Sequence, residues 1–332
     1  MLDSSACPPR RDDPPISVTC QVSSTSLGPT CVIRGSEECV ALGDIIADRY
    51  EIRRWLGKGG AATVYQAWDR LLSCMIAMKI FRFDDGSDSG KIRRLVREVR
   101  LARRVRHPNV CSVFDIGCAD GLWFLTMEEA TGGSLRDDPR GPDEDELESA
   151  AVPRPWYRRV DDAAGLAAGL AAIHAAGIAH RDVTPRNVLR MSDGRLLLAD
   201  FGLAQPDDEE ISRHGGTLKY LAPEVALGGA ADHRSDVWQL GLVMHELLFG
   251  ARPQWRVRDD RFALEPLCPR EAPAGANDVV ELVAACLAWN PKGRPTAAAI
   301  DRALAEKHLA SDGSRGGGWR RVVQFSRAVF SR

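Results

Sequence analysis

Residues 178–189 read IAHRDVTPRNVL. Within them His180, Arg181, Asp182, Arg186 and Asn187 bring an imidazole, a carboxylate, a carboxamide and two guanidiniums to one short turn. Pro185 removes a backbone donor there and stops the stretch from running on as helix. Asn187 could offer an oxygen ligand. Farther on, LLLADFGLA (196–204) sets Asp200 into an apolar run. An isolated buried carboxylate is costly, and a divalent cation is a natural reason to keep one. Asn187 and Asp200 together supply the hard oxygens that Mg2+ takes beside phosphate oxygens. The plainer reading of Asp200 is a turn cap before Gly202. Lys79 sits mid-strand in the apolar IAMKI, where an unpaired ammonium is expensive, so it needs a partner, and Glu98 is the candidate. A snorkelling lysine on an edge strand is the plainer alternative.

These residues need a frame that brings them together. LGKGGAATV (56–64) is a glycine cluster between alternating apolar stretches. It reads as strand, glycine loop and strand, in which backbone N–H groups can turn toward a phosphate. A plain hairpin would look the same. ATVYQAW is β-branched and aromatic, so no helix follows as a dinucleotide fingerprint requires, and the Walker ending is absent. CMIAMKIF reads as the next strand, KIRRLVREVRLARRV as a helix burying Leu95, Val99 and Ala102, and CSVFDIG and LWFLTMEE as two more strands. After Gly132 and Gly133 the character changes. Residues 136–155 read as a solvated acidic, proline-rich insertion. Helical patterns follow, one with Val160, Leu166, Leu170 and Ile173 on one face, another with Val237, Leu240, Met244 and Leu247 on one face. The order is a strand-rich lobe and then a helix-rich lobe.

Taken in order, the glycine loop, IAMK, Glu98, HPN (107–109), HRDVTPRN (180–187), DFG (200–202), APE (222–224), Asp236 in SDVWQLG and Arg294 in NPKGRP resemble the protein kinase superfamily, specifically bacterial Ser/Thr kinases. The resemblance runs from about Arg49 to His308. It implies an α+β, bilobal kinase-like fold, with residues 49–131 as the small lobe and 132–308 as the large one. Residues 1–48 then form a disordered arm, and 309–332 a Gly-rich hinge and basic amphipathic tail. The implied cofactors are ATP and Mg2+. Leu56, Gly57, Lys58, Gly59, Gly60, Ala61, Ala62, Thr63 and Val64 would cover the nucleotide. Val64, Ala77 and Leu189 would sandwich adenine beside Met127, Glu128 and Ala130 of the hinge. Lys79 would hold the α- and β-phosphates and pair with Glu98, Asp182 would accept the hydroxyl proton, and Asn187 and Asp200 would hold the metal. Glu224 and Arg294 would form a buried ion pair, and Asp236 would accept backbone N–H bonds from the catalytic loop.

Two positions depart from the family pattern. Ala62 replaces the third glycine, which stiffens the loop without blocking ATP. Thr184 stands where Ser/Thr kinases place a lysine that neutralises charge on the transferred phosphoryl group. Arg186 lies at the offset where many tyrosine kinases carry an arginine, and we expect it to supply that charge. GTLKYLAPE (216–224) nevertheless favours Ser/Thr substrates through Thr217. Arg181 is the residue that relatives pair with an activation-segment phosphate. Ser212 and Thr217 are the hydroxyls available for it; the acidic run 207–210 could partly substitute for a phosphate, though a solvated acidic loop is the plainer reading. The competing reading is a pseudokinase scaffold that binds nucleotide without transfer.

The totals agree with an enzyme of this kind. The chain has 332 residues and a net charge of −2, with 44% hydrophobic and 27% charged residues. That composition suits a soluble protein and gives no reason to expect nucleic acid as a partner. Protein substrates are the expected partners, and the location is cytoplasmic. The nine cysteines include no C-x-x-C pair, so neither a zinc site nor a disulfide framework is expected. The tail 319–332 has the pattern of a basic amphipathic helix. Docking on a protein or staying disordered is favoured over membrane contact. Oligomeric state is not legible.

Overall fold

The structure is a computed structural model that describes residues 20–21, 40–59, 62–81, 89–137, 154–201, 217–258, 261–265 and 276–311. A sheet dominates the first part. Its central strands are β3 (Tyr50–Lys58), β4 (Ala62–Asp69), β5 (Cys74–Phe81), β6 (Val113–Ala119) and β7 (Leu122–Met127). The order is β6-β7-β5-β4-β3, all antiparallel. Two short strands flank it: β1 (Cys20–Gln21) runs parallel to β6, and β2 (Ile45–Ile46) pairs with β3. Both lie in the stretch expected to be a disordered arm. Val40 and Ile46 explain why the sheet begins early, because both bury against Tyr50 and Ile52.

Side chains alternate across a strand. On β5, Ile76, Met78 and Ile80 enter a small cluster with Ile52, Tyr65 and Phe124 on one face. Ala77 and Phe81 enter the main core on the other face. Lys79 shares the parity of Ala77 and Phe81, so the same alternation that buries the apolar residues aims its ammonium at the second lobe. Helix α1 (Ser89–Ala102) covers that inner face with Leu95, Val99 and Ala102.

The second lobe is built on α2 (Trp156–Ala175), which packs on α4 (His233–Phe249), α6 (Ala297–Ser311) and the hairpin β8 (Val188–Arg190) and β9 (Leu196–Leu198). The short turn α3 (Pro223–Ala226), the hairpin β10 (Gln254–Arg258) and β11 (Arg261–Glu265), and α5 (Asn277–Cys286) complete the described elements. Helix α4 differs from the one-faced pattern expected: positions 235–245 are buried all round. It is the central post of the lobe, and that is why polar residues on it have protein partners. Two glycines of α2 have a steric reason. A Cβ at Gly165 would lie 2.6 Å from Asn109 Nδ2, and one at Gly169 would lie 2.6 Å from Asn109 O. Their absence of side chains lets the HPN turn sit on the helix. Asn109 then donates to Leu196 O at 2.8 Å and accepts from Leu198 N at 2.9 Å, which holds β9 and so the segment leading to Asp200.

Candidate active site

The catalytic-type turn lies between α2 and β8 and is held by α4. Asp232 caps that helix, accepting from Arg234 N and Ser235 N while Ser235 Oγ accepts from Asp232 N. This reciprocal cap fixes the first turn, and the first turn carries Asp236. Its carboxylate is fully buried. It accepts from His180 N at 2.7 Å and Arg181 N at 2.6 Å, and lies 2.8 Å from His174 Nε2. The backbone bonds expected of Asp236 are therefore formed. One turn later, Gln239 accepts from Val183 N at 3.0 Å and donates to Arg181 O at 3.2 Å. Arg181 takes φ of +71° and Asp200 φ of +60°, conformations that residues with a Cβ seldom adopt and that cluster at functional sites.

Asp182 projects from this clamp. Asn187 Nδ2 donates to Asp182 O at 2.9 Å and to Asp182 Oδ2 at 2.7 Å, so the carboxamide fixes the carboxylate. Asp182 Oδ1 is buried and without a hydrogen-bond partner, and so is Asp200 Oδ1. Burial pushes the Asp182 carboxyl above the usual carboxylate range and holds the His180 imidazole below its usual range. Lys79 Nζ lies 2.9 Å from Asp200 Oδ2. One cleft thus gathers Lys79, Asp182, Asn187 and Asp200.

The upper wall of the cleft comes from the sheet. Ala77 and Met127 are buried opposite each other in the β5–β7 register, and Val64 and Leu189 pack half-buried on the same core. Beyond Met127, Glu128 N donates to Ser112 O at 2.9 Å, while Ala130 is half-buried. In the glycine loop, Gly59 N donates to Ala62 O at 2.8 Å. A Cβ at Gly57 would meet nothing within 4 Å, so the protein's own packing does not demand a glycine there. Leu56 and Lys58 are exposed, Thr63 is half-buried, and Ala62 is buried in the main core. The Ala62 methyl thus packs inward. Gly60 and Ala61 lie outside the described residues.

The protein kinase domain family matches residues 50–306, most of the chain and every residue of this cleft. The chain belongs to the protein kinase family. Among curated proteins, this kinase domain is similar to the serine/threonine-protein kinase PrkC of Bacillus subtilis, at 35% identity over 64% of this chain and 32% of that protein. It also resembles the DNA damage-responsive serine/threonine-protein kinase RqkA of Deinococcus radiodurans, at 38% over 64% of this chain and 31% of that protein. Serine/threonine-protein kinase PknB of Mycobacterium leprae matches at 32% over 78% of this chain and 42% of that protein. The chain spans about a third of the length of the first two. Among solved structures, the Mycobacterium tuberculosis PknI kinase domain superposes with a TM-score of 0.59 at 27% identity, covering 81% of this chain and 99% of that one. These relatives are bacterial serine/threonine-protein kinases by name, and the likeness to the solved kinase domain accounts for the bilobal architecture.

One expected contact of the kinase domain is not formed. Lys79 pairs with Asp200 rather than Glu98, and Glu98 Oε1 takes Arg94 Nε at 3.1 Å one turn back on α1. Burial raises the Glu98 carboxyl above its usual range, with the Arg94 and Arg181 guanidiniums opposing that rise. Each charge has found a nearer partner. Thr184 is buried at the head of the 3-10 turn Pro185–Asn187, and Arg186 is exposed on it. Arg181 Nε is buried without a hydrogen-bond partner. Glu224 and Arg294 form the expected pair, two-pronged at 2.6 and 2.8 Å, with the guanidinium 4.9 Å from the centre of the Trp238 ring. Gly202, Ser212, the acidic run 207–210 and the tail 319–332 lie outside the described residues, as does the side chain of Thr217. The residue of this clamp that sequence reasoning missed is Gln239. Its signal was a lone carboxamide inside the apolar VWQLGLV of a central helix.

Proposed function

We propose that this kinase domain transfers the γ-phosphoryl group of Mg·ATP to Ser or Thr hydroxyls of protein substrates in the bacterial cytoplasm. The observation that carries this reading is the pair of buried, unpartnered carboxylate oxygens, Asp182 Oδ1 and Asp200 Oδ1. A buried carboxylate oxygen without a donor is costly, and each fits a group that the reaction supplies. Asp182, steadied by Asn187, would accept the proton of the attacking hydroxyl. Asn187 and Asp200 would hold Mg2+, which when bound neutralises phosphate charge. Lys79 is within reach of the same cleft and would steady the phosphates from the sheet side. The open space at Gly57 suits the backbone approach that phosphates require. Ala77, Met127, Val64 and Leu189 would present the apolar walls for adenine, with Glu128 and Ala130 at its edge.

Arg186 would supply the cation that Thr184 lacks, from the exposed position that the 3-10 turn gives it. Glu98 would join Lys79 once Arg94 releases it. Arg181 would receive an anion on the activation segment. A scaffold without transfer is supported by Thr184 and Ala62, and the retained Lys79, Asp182, Asn187 and Asp200 weigh against it. The test is incubation of the full chain with Mg·ATP and peptides bearing Ser, Thr or Tyr, read by mass spectrometry. Phosphate on Ser or Thr, abolished by EDTA, is expected. Phosphate on Tyr alone, or transfer indifferent to EDTA, would overturn the reading.

A further inference from the structure

Helix α4 does more than anchor the turn through Asp236. Gln239 lies one helical turn after Asp236 on the same face and is 2% exposed. Its Oε1 accepts from Val183 N at 3.0 Å, and its Nε2 donates to Arg181 O at 3.2 Å. Both bonds belong to the peptide units that flank Asp182, one on each side. A carboxamide is a neutral side chain carrying both an acceptor and donors, which is what a bracket around a single residue requires. Asp236 cannot do this, because its carboxylate only accepts, and the backbone donors it reaches are His180 N and Arg181 N. The residue between the two brackets therefore has its backbone fixed from both ends. Arg181 meanwhile is held at φ of +71°, a conformation that persists only where its surroundings over-determine it.

We propose that Gln239 is a positioning residue for the phosphoryl-transfer step: its carboxamide brackets Asp182 and aims the carboxylate that takes the substrate proton. The proposal rests on the kinase reading above. It separates the work on Asp182 between two groups, Asn187 holding the side chain and Gln239 holding the main chain. It does not involve the nucleotide, so its loss should fall on turnover. Misplacing a reacting group by about 1 Å can lower a rate by about 10².

The test compares the full-length wild type with Gln239→Met, which keeps the side chain's bulk and removes both bonds. Two readouts are needed, steady-state phosphorylation of a Ser/Thr peptide and hydrogen exchange across residues 180–187 and 237–245. The expected result is a kcat lower by about 10- to 100-fold with the KM for ATP within about twofold of wild type. Exchange at the Val183 amide should be faster, with α4 unchanged. An unchanged kcat would overturn the proposal. So would a fall in kcat accompanied by a matching rise in KM for ATP and lost protection throughout α4, since that is the mark of a merely structural residue. If the wild type itself transfers no phosphate, the kinase reading fails, and exchange alone decides the bracket. Unchanged protection at Val183 would then overturn it, and faster exchange at Val183 with α4 unchanged would support it.

Discussion

Arg186 stands exposed four residues after Asp182, whereas Thr184, two residues after it, is buried and hydroxyl-bearing. Only the first can extend a cation toward a transferring phosphoryl group. Arg186→Ala should therefore lower kcat by on the order of 10²–10³, the cost of removing one group that stabilises developing charge. The KM for ATP should move little, and a steady-state assay that finds kcat unchanged would refute the role. Lys79 and Asp200 were legible in the sequence because charges interrupting apolar strands are costly and demand a reason, and Asp182 and Asn187 because polar groups crowd one short turn; the four meet in one cleft as their types suggested. Gln239 showed only as a lone carboxamide in an apolar helix, which gives no sign of what faces it. The exchange of partners between Lys79 and Glu98 was hidden for another reason. It depends on where α1 sits against the sheet, a tertiary distance that spacing along the chain does not encode.

At the scale of elements, α1 holds a choice between two pairings. The Arg94–Glu98 pair is an i,i+4 contact with Arg94 more than a third exposed, and such pairs contribute about 0.3–0.5 kcal/mol. Removing it with Arg94→Gln should free Glu98 for Lys79 and raise kcat/KM by about twofold, the factor such an energy allows; a titration of initial rate against ATP checks it, and a fall would contradict the pairing argument. The Glu224–Arg294 pair is a different case. Arg294 is fully buried and also donates to Ala288 O at 2.8 Å and Arg234 O at 2.9 Å. Taking away one partner leaves a buried charge unmatched, so Glu224→Ala should cost about 3–5 kcal/mol in urea unfolding. Arg294→Lys should not rescue stability, since an ammonium cannot reproduce the two-pronged geometry. The strand pattern was readable from period-2 alternation, and α1 and α2 from their apolar spacing. Helix α4 was read with one apolar face and is buried all round, because a central helix has neighbours on every side and hides its polar residues among them.

For the molecule as a whole, acid should be destabilising at a pH where carboxylates are still charged. Burial holds His107, His180, His233 and His245 below the ordinary imidazole range. The unfolded chain then binds protons first as pH falls. Stability from these groups is present above about pH 6.5 and is lost as pH drops below it. The thermal midpoint should therefore fall between pH 7.5 and pH 5.5. His245 contributes through burial, with its ring against Phe249 and Nε2 buried without a hydrogen-bond partner, and the Nδ1 contact with Ala251 O opposes that only in part. His245→Gln should flatten the dependence, and a midpoint equally steep in the variant would count against that assignment. No described helix is long and apolar enough to cross a membrane.

The central claim is that Asp182 serves as the base of a phosphoryl transfer from Mg·ATP to Ser or Thr. The most direct measurement is incorporation of labelled γ-phosphate with Mg2+, wild type beside Asp182→Asn, with ATP binding measured on both. The account predicts label on Ser or Thr with wild type alone, and nucleotide binding retained by both proteins. Equal label on both, or ATP bound by both with no label on either, would contradict it.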